Sequence, residues 1–186
     1  LDALTGSWND LQSRGGPGID EIDRLLSHQP FTKMAQKGQR HLVQITGAPI
    51  STALTQAEQE QAGDARDTGL FTGSIYNRRL GNSYTASLYS ALASLLHHDS
   101  ELEERRIGFF SYGSGSVSEF FTGVVQPGYF QPGKAEQVAA ELDARVPLEI
   151  AEYRELHDRS YPSAPDFETP HVTRAPFRFA GIRGRA

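Results

Sequence analysis

Apolar positions recur first with helical spacing, then with strand spacing, and their order outlines an α/β chain. Leu4, Trp8 and Leu11 fall on one face of a helix over residues 2–13, which Ser13-Arg-Gly-Gly-Pro-Gly stops. Residues 19–26 are acidic and partly apolar, which predicts a short helix feeding a brief strand at residues 25–28. Pro30 suits the first turn of a second helix, over residues 31–44. Phe31, Met34, Ala35, Gly38 and Leu42 share one face of it; Lys33, Lys37, Arg40 and His41 share another. Residues 50–80 read as polar and helical, with interruptions near Gly63 and Gly69. Gly81-Asn82-Ser83 then opens the most apolar helix, over residues 84–96, with Asn82 or Ser83 as its N-cap. So little of its circumference is polar that it predicts a helix surrounded by protein.

A charged surface loop at residues 99–106 leads to two aromatic, β-branched runs, IGFFSY at 107–112 and VSEFFT at 117–122. Gly113-Ser114-Gly115-Ser116 joins them, and glycines there permit a positive φ and a close backbone approach. Two readings of this turn stand side by side. One is a core hairpin whose turn merely needs glycine; the other is a loop offering backbone N–H groups and serine hydroxyls to a ligand. Beyond it the pattern predicts helices over residues 134–145 and 148–159, a proline-rich loop at 161–170, and short strands at 171–175 and 177–182. Helices between strands, ending in antiparallel strands, predict a layered α/β or α+β arrangement.

Composition narrows the partners. A length of 186 residues fits one domain or one half of a larger duplicated fold. With 38% hydrophobic and 22% charged residues the chain reads as soluble and folded. No apolar run approaches the ~18 residues that span a bilayer. LDALTGSWNDLQ lacks the basic and apolar regions of a signal peptide, so the expectation is a cytoplasmic protein with no membrane partner. A net charge of −5 weighs against nucleic acid. There are no cysteines, which removes disulfides, thiolate metal sites and a cysteine nucleophile from this chain.

Candidate chemistry gathers around one histidine. His28 stands at a strand-to-helix junction, near Lys33 and Lys37, which lie one helical turn apart. Lone histidines are usually structural and paired lysines usually solvated, yet together they can serve a polar group and its phosphates. His97-His98-Asp99 makes a poor metal site, because adjacent side chains rarely converge on one ion. His157 and His171 read as surface residues, and the carboxylates at 20–23 and 101–104 as solvated charge.

Three stretches in order change the weighting: HQPFTKM at 28–34, GNSYTASLY at 81–89, and FSYGSGSVSEFF at 110–121. They resemble the C-terminal half of the 3-hydroxy-3-methylglutaryl-CoA (HMG-CoA) synthase family, thiolase-superfamily enzymes. The flanking LDALTGSWNDLQ and APFRFAGIRGR resemble that family too. The resemblance implies one domain over residues 1–186, the C-terminal half of a thiolase-like layered α-β-α fold. It implies His28 as the catalytic histidine and Lys33 and Lys37 as contacts to CoA phosphates. Asn82 would hold an acyl carbonyl at the N-terminus of the buried helix, where the dipole favours negative charge. Ser114 and Gly113 would lie by the substrate in the Gly-Ser-Gly loop, with Tyr84 as a pocket residue.

By the same resemblance the substrates are acetyl-CoA and acetoacetyl-CoA, with no cofactor or metal, in a homodimer. A cysteine nucleophile and a glutamate base would come from an N-terminal half. Two alternatives accompany this expectation. One is the β-branching synthase of polyketide assembly, whose acceptor rides on an acyl carrier protein; the lysine pair leans towards free CoA. The other is a non-catalytic half acting as a partner.

Overall fold

Leu25 and Leu26 are consecutive in one strand, so their side chains leave on opposite faces, and a separate core forms around each. This computed structural model describes residues 1–47, 69–158, 166–169, 171 and 176–184. The chain divides into two compact units, Leu1–Ala144 and Arg145–Ala186. In the first, β1 (Arg24–Ser27) pairs parallel with β2 (Arg106–Gly113), which pairs antiparallel with β3 (Val117–Val124). The register sets Leu26 beside Phe109, and Phe109 beside Phe121.

Helix α1 (Asp2–Ser13) and helix α2 (Lys33–Thr46) cover the Leu25 face. Leu4 and Trp8 of α1, Leu42 of α2, and Ile22, Leu25 and Phe120 form its core, with Trp8 edge-on to Phe120 at 5.0 Å between ring centres. A 3-10 turn at Thr72–Ser74 and the one-turn α3 (Asn77–Leu80) lead to α4 (Ala86–His98), which covers the other face. Leu88, Ala91 and Leu95 of α4 pack with Leu26, Ile107 and Phe109, and Phe109 stacks on Phe121 at 4.9 Å. Helices on both faces of a sheet make three layers. Each fully buried leucine here stabilises by ~1.5–3 kcal/mol relative to exposure. Helix α5 (Lys134–Asp143) ends this unit, tied back by the Arg79–Asp143 ion pair. The second unit holds α6 (Ile150–His157) and a two-residue antiparallel pair, β4 (Phe167–Glu168) with β5 (Gly181–Ile182).

Several sequence expectations are corrected. Helix α4 begins at Ala86 rather than residue 84, because Tyr84 adopts a left-handed φ of 53° that a right-handed helix excludes. Thr85 stands at the N-cap without a side-chain cap bond, so neither Asn82 nor Ser83 caps it. The loop at 99–106 is pinned rather than free: Leu102 is fully buried, and Tyr129 Oη donates to the Asp99 carbonyl while accepting the Leu102 N–H. The glycine argument for the hairpin is overturned as well. Neither Gly113 nor Gly115 has a positive φ; Ser116 takes it, at 58°. Terminal pairing uses residues 167–168, which had read as loop, and extended ladder structure is absent at 177–180. His41 turns from the basic face to hydrogen-bond Thr5, joining α2 to α1. The polar stretch at 50–68 and the strand expected at 172–175 lie outside the described residues.

Candidate functional site

The parallel strand β1 ends at Ser27, and the next residue, His28, donates its backbone N–H to the Phe110 carbonyl at 2.8 Å. That bond extends the ladder by one residue and fixes where the ring emerges, at the carboxyl end of a core strand. In open α/β sheets ligands bind at such ends. A cavity of about 580 Å³ opens there. His28, Ser27, Phe110 and Tyr112 line it from the sheet, Met34 and Gly38 from α2, residues 1–4 from the start of α1, and Ser116 from the hairpin turn. Gly38 leaves room on this wall, since a Cβ there would only touch Leu4 and Ser27 at 3.7–3.8 Å.

The ring of His28 is half-buried and held from behind. Ser87, fully buried in the first turn of α4, has its Oγ 3.1 Å from His28 Nδ1 and accepts the Gln29 N–H at 3.0 Å. Burial pulls the imidazole pKa below its usual value, partly offset by the Tyr84 carbonyl, which favours the protonated ring. The neutral ring is thus favoured near pH 7, one nitrogen a donor and the other an acceptor. Tyr112 lies alongside, 6.3 Å between ring centres.

The other sequence candidates distribute around this centre. Lys33 and Lys37 are exposed on α2, each adjacent in the chain to a cavity-lining residue, Met34 and Gly38. Asn82 is exposed, its Oδ1 accepting the Tyr84 N–H at 3.0 Å, and it stands four residues before α4 rather than inside its first turn. The Tyr84 side chain is 76% exposed; only its carbonyl meets His28. Gly113 closes β2, and Ser114 is exposed at the turn, while Ser116 reaches the cavity. His97 and His98 bond to different partners, the first to Tyr76 Oη and the second to the Ser94 carbonyl. Among the described residues no three His, Cys, Asp or Glu side chains gather as metal ligands.

Sequence reasoning missed Ser87 and Tyr112, and of the two turn serines it singled out Ser114 where Ser116 lines the cavity. Ser87 left one faint signal: it and Ser94, two turns apart, are the small hydroxyls on the buried face of an apolar helix.

The three-layer unit with this strand-end histidine is a thiolase-like α/β arrangement. A family model described as hydroxymethylglutaryl-coenzyme A synthase C terminal matches residues 50–160. The hydroxymethylglutaryl-CoA synthase of Enterococcus faecalis is 40% identical over 157 residues, covering 84% of this chain and 38% of that protein. A Bacillus subtilis protein, named as a polyketide biosynthesis 3-hydroxy-3-methylglutaryl-ACP synthase, is 31% identical over 160 residues, covering 84% of this chain and 36% of its own length. The crystal structure of an HMG-CoA synthase complexed with CoA superposes with a TM-score of 0.77 at 25% identity, covering 98% of this chain and 45% of that one. This chain belongs to the hydroxymethylglutaryl-CoA synthase family and corresponds to its C-terminal region. It spans less than half the length of these relatives.

Proposed function

We propose that this chain is the histidine-bearing half of an enzyme that condenses acetyl-CoA with acetoacetyl-CoA to give 3-hydroxy-3-methylglutaryl-CoA, the mevalonate-pathway reaction. The acetyl group first passes from CoA to a cysteine thiolate, forming an enzyme thioester and releasing CoA. A base then takes a proton from the acetyl methyl group. The resulting enolate carbon bonds to the ketone carbon of acetoacetyl-CoA, whose oxygen takes up a proton. Water finally cleaves the enzyme thioester, restoring the cysteine and leaving a carboxylate on the product. This chain has no cysteine, so the nucleophile belongs to an N-terminal half, and the family resemblance assigns the glutamate base to that half too.

His28 carries the assignment: a neutral imidazole on the wall of a cavity large enough for an acyl thioester, at the carboxyl end of a core strand. Such a ring can donate to a thioester or ketone oxygen and exchange a proton with it. Lys33 and Lys37, beside that wall, supply cations for CoA phosphates. Asn82, Ser114 and Tyr84 are retained as substrate contacts that depend on the companion half. A cytoplasmic homodimer belongs to the same proposal.

The test uses the full-length parent polypeptide. His28→Ala is expected to lower kcat for condensation by ~100-fold or more while the melting temperature changes little. Equal loss of activity and stability would instead make His28 structural. An upstream sequence lacking a cysteine and glutamate, with no turnover by the parent, would leave the chain as a non-catalytic partner. The Bacillus subtilis relative motivates assaying an acyl-carrier-protein acceptor beside acetoacetyl-CoA; preference for the carrier would move the proposal to β-branching.

A further inference from the structure

Ser87 lies behind the histidine, with 0% of its surface exposed, and forms no part of the cavity wall. It therefore cannot touch a substrate, but it is held from several sides. Its N–H donates to the Tyr84 carbonyl at 3.0 Å, and its carbonyl receives the Asn77 Nδ2–H at 2.8 Å. A serine hydroxyl has one hydrogen and two lone pairs. One lone pair of Ser87 Oγ accepts the Gln29 N–H at 3.0 Å. Among the described residues the other partner of this oxygen is His28 Nδ1, at 3.1 Å, so the hydroxyl hydrogen has an acceptor there.

We propose that Ser87 is the positioning residue for His28: its hydroxyl donates to Nδ1, so the neutral ring carries its proton on Nε2 and presents that N–H to the cavity. This rests on the assignment of His28 as the acid–base group. The pair joins residues 59 apart in sequence, one at the end of β1 and one in the first turn of α4. Because Gln29 N–H is bonded to the same oxygen, the hydroxyl is anchored to the strand end that carries the histidine. The Tyr84 carbonyl favours the charged form of the ring, and burial outweighs it, so the neutral form dominates.

Full-length protein labelled with nitrogen-15 histidine tests this by NMR, since the two ring-nitrogen shifts report the tautomer directly. The wild-type ring is expected to be protonated at Nε2 when neutral. Ser87→Ala is expected to give mixed tautomers and lower kcat by about 10- to 100-fold, with KM changed little, because correct presentation of a general acid–base group is lost. Ser87→Thr, which keeps the hydroxyl, is expected to restore the Nε2–H tautomer and most of kcat. A wild-type ring protonated at Nδ1 overturns the proposal whatever the variants do. So does a Ser87→Ala protein with an unchanged tautomer and only a lower melting temperature. A wild-type protein with the Nε2–H tautomer but no condensation activity would support the positioning and overturn the proposed reaction instead.

Discussion

His28 stands between two opposed influences, and burial outweighs the Tyr84 carbonyl, so its pKa falls below 6.5. The sign for stability follows. Between the folded value and 6.5 the unfolded chain binds more protons than the folded one, so stability rises with pH through that window and is lost as pH falls below 6.5. His97 acts in the same direction, lowered by burial and then by Lys134 and His98. Urea unfolding at several pH values is therefore expected to show a shallower acid loss in His28→Asn than in the wild type; an unchanged slope would refute the direction given for His28. The hairpin glycines separate structure from function at the same scale. A Cβ on Gly115 would meet nothing within 4 Å, and its φ is not positive. Gly115→Ala is expected to leave stability unchanged or raise it by ~0.4–1 kcal/mol through the unfolded state. Loss of activity in the full-length enzyme without loss of stability would show that the glycine serves close approach of a substrate or of the companion half.

Helix α4 is the element on which the site depends. Leu88, Ala91 and Leu95 are buried to within 1% of their surface, so the helix cannot shift against the sheet without opening its core. The 3-10 turn packs closely against both helix and sheet: a Cβ on Gly73 would come within 2.6 Å of Leu26 Cδ2 and 3.6 Å of the Ala91 carbonyl, and Ser94 Oγ donates to the Thr72 carbonyl. Leu95→Ala should cost about 2–5 kcal/mol, measured by chemical unfolding. Because α4 carries Ser87, this loss should be accompanied by broadening of the His28 ring signals below the melting transition. A mutation of equal cost in the opposite core, at Leu42, should leave those signals sharp.

At the scale of the molecule the net charge is −5, yet α2 carries Lys33, Lys37 and Arg40 and no carboxylate. Two of the chain's three lysines immediately precede cavity-lining residues, Met34 and Gly38. An exposed ammonium attracts phosphate weakly, and salt screens the attraction over ~8 Å at physiological ionic strength. Lys33→Ala with Lys37→Ala is expected to raise KM for CoA substrates several-fold, more at low salt than at high salt, with kcat little changed. Steady-state kinetics at two salt concentrations decides this, and a salt-independent KM would place the phosphates elsewhere.

Local pattern alone was enough for α1, α2, the β2–β3 hairpin and α5, because helical and strand periodicities are written in neighbouring residues and each element buries one continuous face. The motif around His28 was legible for the same reason, since a strand end, a proline and a helix start are consecutive. Other features depend on residues distant in sequence. Parallel pairing of β1 with β2 joins Leu25 to Gly108, and no short-range period encodes such a partner. The left-handed Tyr84, which delays α4 and turns its carbonyl to the histidine, defies the helical pattern of its own stretch. Ser116, rather than a glycine, takes the left-handed φ, and it is the turn residue that lines the cavity. Ser87 lies in an apolar helix 59 residues from His28, and only the fold brings the two together. Sequence determined which elements form and which side chains carry chemistry; long-range burial alone decided which of those side chains meet.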